Sequence, residues 1–594
     1  MIFRFSLRFP NVISTKPITN MSECDKMVSQ LFKDFWSWRL LRTPEFASLA
    51  GQSQFNGKLE DYSLKRFDED LQTCQDFMAR LDQLQSQSQE DLSDHKKLNL
   101  RFLKAELETF ITGYQFKGFY FPICYLEGVH IDFERLSGWM TLQSEQDYLD
   151  LIQRYESFPQ QANGILEVLK RAVSEHMVFH AISIKGVVET FKKHTEPKPK
   201  DTVFWEPFQA ISALSEPKVS EIRAKAEKAI LECMQPAMLR LQNFIQNEYK
   251  TREEIAATSL PNGMEFYRQC IKFHTSTDLT AQEIHDIGLK EVDRIETEMK
   301  KIAVDLSKSS NVSLKDFMNN LRDDPSMYYN SKEEVLEGFK DIVVNRINPR
   351  LTSIFKKKPE LDVEIVPAPQ AESPAAFYIS GTPDGARPGK FFVNVLKFKS
   401  QPKYDMMTLA LHESNPGHHL QGSYLLTSDG IPEFRTIMED RSYFMAPSRF
   451  PINTAYGEGW GLYSESLGFD LNLYDDPLDR FGHYSAEIFR ACRLVVDTGL
   501  HAFGWTRQQA IDFMMEHSAS SVGHTEAEID RYITWPGQAL GYKIGEIKIK
   551  QLRKKAEQAL GAKFDLKEFH EVTLKSAGPL EVLEEQVDKF IANA

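Results

Sequence analysis

Between Ser22 and about Pro261, apolar residues return at intervals of three and four positions, the period of an amphipathic helix. EDLSDHKKLNLRFLKAELETFITGY and ILEVLKRAVSEHMVFHAISIKGVVETFKKH both carry it. KVSEIRAKAEKAILECMQPAMLRLQNFIQNEY continues it, with Pro236 as a break or kink. A second helical series opens at TSTDLTAQEIHDIGLKEVDRIETEMKKIAVDL, where Thr280 and Glu283 have the spacing of a capping box. The texture then changes. LDVEIVPAP, AAFYIS and GKFFVNVLKF are short β-branched or aromatic runs bounded by Pro and Gly, which predicts a small sheet over about residues 361–397. After Tyr404 the helical period resumes and lasts to the end.

A length of 594 residues exceeds what one compact core usually holds, so two lobes are expected. The pattern predicts a mainly α chain, with one small sheet beside a central cleft. Residues 1–21 read as a tail, 22–260 as an N-terminal helical region, and 261–594 as the region with the sheet and the candidate site. Composition (42% hydrophobic, 26% charged) is that of a globular protein rather than a disordered one. The net charge of −14 speaks against a general nucleic-acid binder, which needs a basic footprint. No apolar run approaches the ~20 residues of a membrane span, so no membrane partner is expected. Six scattered cysteines without a C-x-x-C pair fit a reducing, cytoplasmic setting and leave any metal to His and carboxylate ligands. Residues 1–20 are basic and free of acids, as a mitochondrial presequence would be; a plain tail or a start at Met21 is the alternative.

The chemistry concentrates in LHESNPGHHLQ, residues 411–421. In H-E-x-x-H two imidazoles lie i and i+4 on one helix face. Here His412 and His418 are six apart, about 120° around a regular helix, so a straight helix cannot bring them together. Pro416 forces a bulge or restart, Asn415 is placed to cap a new helix, and Gly417 tolerates close approach. The same residues suit a rerouted ligand pair or an ordinary helix–turn–helix junction. A third ligand should be an acid on a neighbouring helix. AYGEGWGLYSESL offers Glu458 as ligand and, two turns on, Glu465 to orient a histidine.

HESNPGHHLQ, EGWGLYSE, RACRLVVDTGLHAFGW and RYITWPGQALGYKIGE together resemble a widespread family known only as domain of unknown function 885. The resemblance covers most of the chain from about residue 260 onward and, more loosely, the helices before it. The order of elements is similar to gluzincin zinc peptidases of the thimet-oligopeptidase and angiotensin-converting-enzyme types, from which the chain departs in the wider His spacing and the more distant acid. That resemblance implies one zinc ion held by His412, His418 and Glu458, with Glu413 as general base. It favours His418 over its neighbour His419, because the family's histidine directly follows a glycine. It also implies a tyrosine donor for an oxyanion, either Tyr542 or Tyr532.

On RACRLVVDTGLHAFGW, Arg493, Asp497 and His501 recur every four residues as one polar stripe. His501 reads either as a cleft residue oriented by Asp497 or as part of a buried ion-pair network joining two helices. Arg387, Lys390, Arg493 and Lys543 are candidates to grip a peptide's terminal carboxylate. The strand GKFFVNV is expected at the cleft as an edge that pairs with extended peptides. The expected function is hydrolysis of short peptides in a carboxypeptidase- or dipeptidase-like manner, with a catalytically inactive peptide-binding scaffold as the alternative. A di-iron site would need two E-x-x-H pairs, and only Glu127 to His130 has that form.

Overall fold

A computed structural model describes residues 22–88, 92–212, 214–370, 374–437, 439 and 441–594. The presequence expectation for residues 1–20 lies outside them. The chain is mainly helical with one small sheet. Four helices matter for the first half: α1 (Glu23–Arg42), α2 (Asp94–Tyr114), α3 (Glu145–Ser174) and α4 (Ala281–Ser307). At the start of α4 the Thr280 side chain accepts from the Glu283 N–H while Glu283 accepts from that of Thr280, the reciprocal cap expected from the sequence. Pro236 neither breaks nor sharply ends its helix. A wide turn over Ile230–Met234 precedes it and absorbs the missing hydrogen bond, so helix continues through Gln235–Asn247.

The sheet consists of β1 (Val363–Pro367), β2 (Ala376–Ile379) and β3 (Gly389–Val393) in the order β1-β3-β2. β1 runs parallel to β3 with Val363 opposite Gly389, and β2 runs antiparallel with Ala376 opposite Val393. The strand expected to be an open edge is therefore the central one. Both its hydrogen-bonding sides are occupied, and the free antiparallel edge belongs to β2. Alternation explains the placement: Gly389, Phe391 and Val393 point into the core, while Lys390 and Phe392 occupy the half-buried face. Phe377 stacks on Phe392 across that face at 4.7 Å.

Six more helices build the site: α5 (Met406–Glu413), α6 (His418–Thr427), α7 (Thr454–Asp470), α8 (Pro477–Ala502), α9 (Val522–Thr534) and α10 (Leu540–Leu560). α7 and α10 pack closely because glycines face each other. A Cβ on Gly545 would fall 1.8 Å from the Ala455 carbonyl oxygen, and one on Gly459 2.5 Å from the Gly545 backbone. The largest apolar cluster joins Phe158, Ile165 and Phe208 to Tyr267, Leu494 and Ile544, so the core runs across residue 260. Among the described residues no helix is long and apolar enough to cross a membrane, and all six cysteines are free.

Candidate metal centre

The chain turns out of α5 after Glu413 and enters α6 at His418. Four residues between them make the detour. The His419 N–H donates to the Ser414 carbonyl at 3.0 Å, closing the turn. Gly417, not Asn415, is the residue before α6; the Asn415 side chain instead donates to Asn348 Oδ1 at 2.8 Å. Gly417 is required for proximity. Its φ is −73°, but a Cβ there would lie 1.8 Å from the His412 carbonyl oxygen. Trp460 of α7 pins the detour from the other side, its indole N–H donating to the Pro416 carbonyl at 2.9 Å.

The result brings His412 and His418 together, their rings edge to face with centroids 4.7 Å apart. Glu458 of α7 completes a triangle: its Oε2 lies 3.3 Å from His412 Nε2 and 3.5 Å from His418 Nε2. One donor atom from each of the three residues falls within 4.8 Å of the others. Glu458 Oε2 is buried and accepts no well-formed hydrogen bond, although two imidazoles flank it. Gly461, one turn along α7, allows this approach, since a Cβ there would meet the His412 ring at 2.6 Å.

Behind the triangle, His412 Nδ1 and Glu465 Oε1 are 2.8 Å apart, and the same carboxylate oxygen lies 3.2 Å from Arg490 Nη2 of α8. Burial opposes a charge on His412, but Glu458 and Glu465 outweigh it and push its pKa up to about 9. Glu458 is half-buried, and although the burial of its carboxylate opposes a charge, the two imidazoles hold its carboxyl well below the usual range. Glu413 follows His412 directly and is 8% exposed. Burial raises its pKa, opposed by the charges of His412 and His418.

His419, the rival to His418, faces away. Its Nδ1 meets the Tyr378 hydroxyl at 3.1 Å and its Nε2 the Leu361 carbonyl at 3.0 Å, which ties α6 to the sheet. The two tyrosines also separate. Tyr542 is half-buried at the start of α10, where burial, then the nearby Glu458 charge, lifts its pKa to about 12. Tyr532 is buried, donating to Glu528 and accepting from Arg493, both at 2.8 Å. Its hydroxyl is occupied by an ion-pair network, so it is not the oxyanion donor.

The polar stripe on α8 is a correction. His501 is fully buried between the Ala257 N–H and the Tyr532 carbonyl, both 2.9 Å from ring nitrogens, and burial lowers its pKa to about 4. Asp497 does not orient it; that carboxylate accepts from the Tyr267 hydroxyl at 2.7 Å and from the Gly537 N–H. The stripe is buried, but only Arg493 makes an ion pair, with Glu528 of α9, while His501 and Asp497 bond to neutral groups. Lys543 is 1% exposed and its ammonium is taken up by Glu291, Glu487 and Glu546, which leaves it no donor for a substrate carboxylate. Arg387 spends donors on the Ser380 and Leu49 carbonyls at 3.0 and 3.2 Å, joining the sheet to the N-terminal helices. Lys390 lies on the half-buried face of β3, opposite Glu364 of β1. Arg490 went unnoticed in the sequence. Its signal was position, one turn before Arg493 on the helix that faces Glu465.

The model of the family described as "Bacterial protein of unknown function (DUF885)" matches residues 44–587. Two solved structures share the fold. One, titled a "putative lipoprotein" from Colwellia psychrerythraea, superimposes with a TM-score of 0.87 at 28% identity, covering 96% of this chain and 100% of its own. Another, titled a "putative lipoprotein of unknown function" from Shewanella oneidensis, gives a TM-score of 0.60 at 18% identity, covering 94% and 99%. Curated proteins gave no match.

Proposed function

This chain belongs to the DUF885 family, and from that premise we propose that it is a zinc-dependent peptidase acting on short peptides. One observation carries the reading: two imidazole nitrogens and a buried, unbonded carboxylate oxygen converge on one point, with a second carboxylate next in sequence. The donor set fits the ion. Two ligands at about 2.0–2.1 Å from a tetrahedral zinc lie about 3.3–3.4 Å apart, close to the 3.3 and 3.5 Å between Glu458 Oε2 and the two imidazoles. His412 and His418 supply neutral nitrogen and Glu458 oxygen, a combination zinc accepts. When bound, such an ion supplies Lewis acidity that polarises a carbonyl and acidifies water.

The chain's own groups do the rest. Glu413, with its raised pKa, takes the proton of a water and returns it to the departing amine. Glu465 fixes the tautomer of His412 by accepting from Nδ1, so Nε2 keeps its lone pair. Tyr542 is the remaining donor for charge developing on a substrate oxygen. The open edge of β2, which lies against α5, offers backbone partners to an extended peptide without reading its sequence. The order of a sheet edge, a His-Glu helix, a helix with the acid and a downstream tyrosine is similar to that of gluzincin peptidases and supports the reading.

The test is hydrolysis of a short-peptide mixture by zinc-loaded protein, with Glu413→Gln as the control. The variant keeps its metal and loses at least about 100-fold in turnover. A variant that turned peptides over at the wild-type rate would remove Glu413 from the role of base.

A further inference from the structure

Beside the candidate centre is a buried ion-pair cluster in which one guanidinium donor is left unmatched. Arg493 of α8 and Arg531 of α9 share one carboxylate, Glu528. Glu528 Oε2 accepts from Arg493 Nη2, Arg531 Nη2 and the Tyr532 hydroxyl, each at 2.8 Å, and Oε1 accepts from Arg531 Nε at 3.0 Å. The nearby acid Asp497 is committed to Tyr267 and Gly537. Two guanidiniums thus share one carboxylate as their hydrogen-bond partner.

Arg493 carries the unmatched donor. It is 7% exposed; its Nε donates to the Tyr532 hydroxyl at 2.8 Å and its Nη2 to Glu528, while its Nη1 is buried without a hydrogen-bond partner. An unmatched buried donor on a charged group is costly unless a ligand completes it. The guanidinium carbon lies 4.3 Å from the centre of the Tyr542 ring. Tyr542 in turn feels the charge of Glu458. The half-buried tyrosine thus packs against the unmatched arginine and lies within reach of the Glu458 charge.

We propose that Arg493 is the anchor for the terminal carboxylate of the peptide, which makes the enzyme an exopeptidase working from the C-terminus. This rests on the peptidase reading of the same site and narrows its substrate class. A carboxylate receives Nη1 in a charge-assisted hydrogen bond, whereas a C-terminal amide brings no charge and makes a weaker one. The Tyr532 and Glu528 contacts hold the guanidinium in place before the ligand arrives, which lowers the ordering cost of binding.

The test separates binding from turnover. Calorimetry on metal-free protein compares one tripeptide as free acid and as C-terminal amide. The free acid binds about ten- to a hundredfold more tightly, the range for one charge-assisted hydrogen bond. Arg493→Gln removes the preference. Arg493→Lys, which retains the charge and is the safer variant for folding, reduces it to within about threefold, because a point charge does not replace the fork. Equal affinity for acid and amide in the wild type, including undetectable binding of both, overturns the anchor. Hydrolysis of acid and amide at equal rates would do so while leaving the peptidase reading intact.

Discussion

Glu465 Oε1 lies 2.8 Å from His412 Nδ1, and Arg490 Nη2 lies 3.2 Å from the same oxygen. The contact couples a residue that touches no candidate ligand position to the one imidazole that α5 contributes. Glu465→Gln keeps the shape but removes the charge that fixes His412 and pairs with Arg490. Zinc affinity, measured by competition with a chromophoric chelator, falls about 10–100-fold. Unchanged affinity would mean that the pair serves only packing.

The same residues set a pH dependence. In the metal-free chain the His412 pKa is about 9, above the ~6.5 of an unfolded histidine. The stability this gives is fully present below the unfolded value and lost as pH rises through about 9. Metal requires the neutral ring, so zinc affinity rises up to about tenfold per pH unit on approaching that pKa and flattens above it. Chelator competition from about pH 6 to about pH 9.5 checks this; a flat profile contradicts it.

Gly461 allows α7 to touch the His412 ring. In Gly461→Ala the new methyl meets that ring at 2.6 Å, and the ring cannot retreat without leaving Glu465. The expected result is about 1–3 kcal/mol of lost stability in denaturant titration, with a fall in zinc affinity. Wild-type zinc affinity would show that the helices adjust freely.

His501 is the converse case. With both ring nitrogens bonded to backbone groups, His501→Ala orphans a buried N–H and a carbonyl and costs about 1–3 kcal/mol for each. Turnover by the folded protein remains near wild type. A large loss of kcat without loss of stability would return His501 to the cleft.

Periodicity revealed the helices, and β-branched runs bounded by Pro and Gly marked all three strands, because both signals are local. Strand order is not local. GKFFV alternates as an edge or a central strand can, and only the pairing of β1 and β2 on either side makes it central. The same limit explains the candidate site. Residues 412, 413, 418, 458 and 465 announced themselves through Pro, Gly and acids in an apolar helix. Tyr532 and Lys543 look as functional as Tyr542 in the sequence, but their partners Glu528 and Glu487 come from other helical turns or other helices. Arg490 is the same case: its partner Glu465 lies on another helix, and only its place one turn before Arg493 hints at that contact.

Elemental analysis of purified protein, wild type beside His418→Ala, tests the central claim most directly. The account predicts about one zinc per wild-type chain, retained through gel filtration, and little or none in the variant, which keeps its helical content. A wild-type chain without metal after zinc loading, or a His418→Ala chain that binds it equally well, would contradict the account.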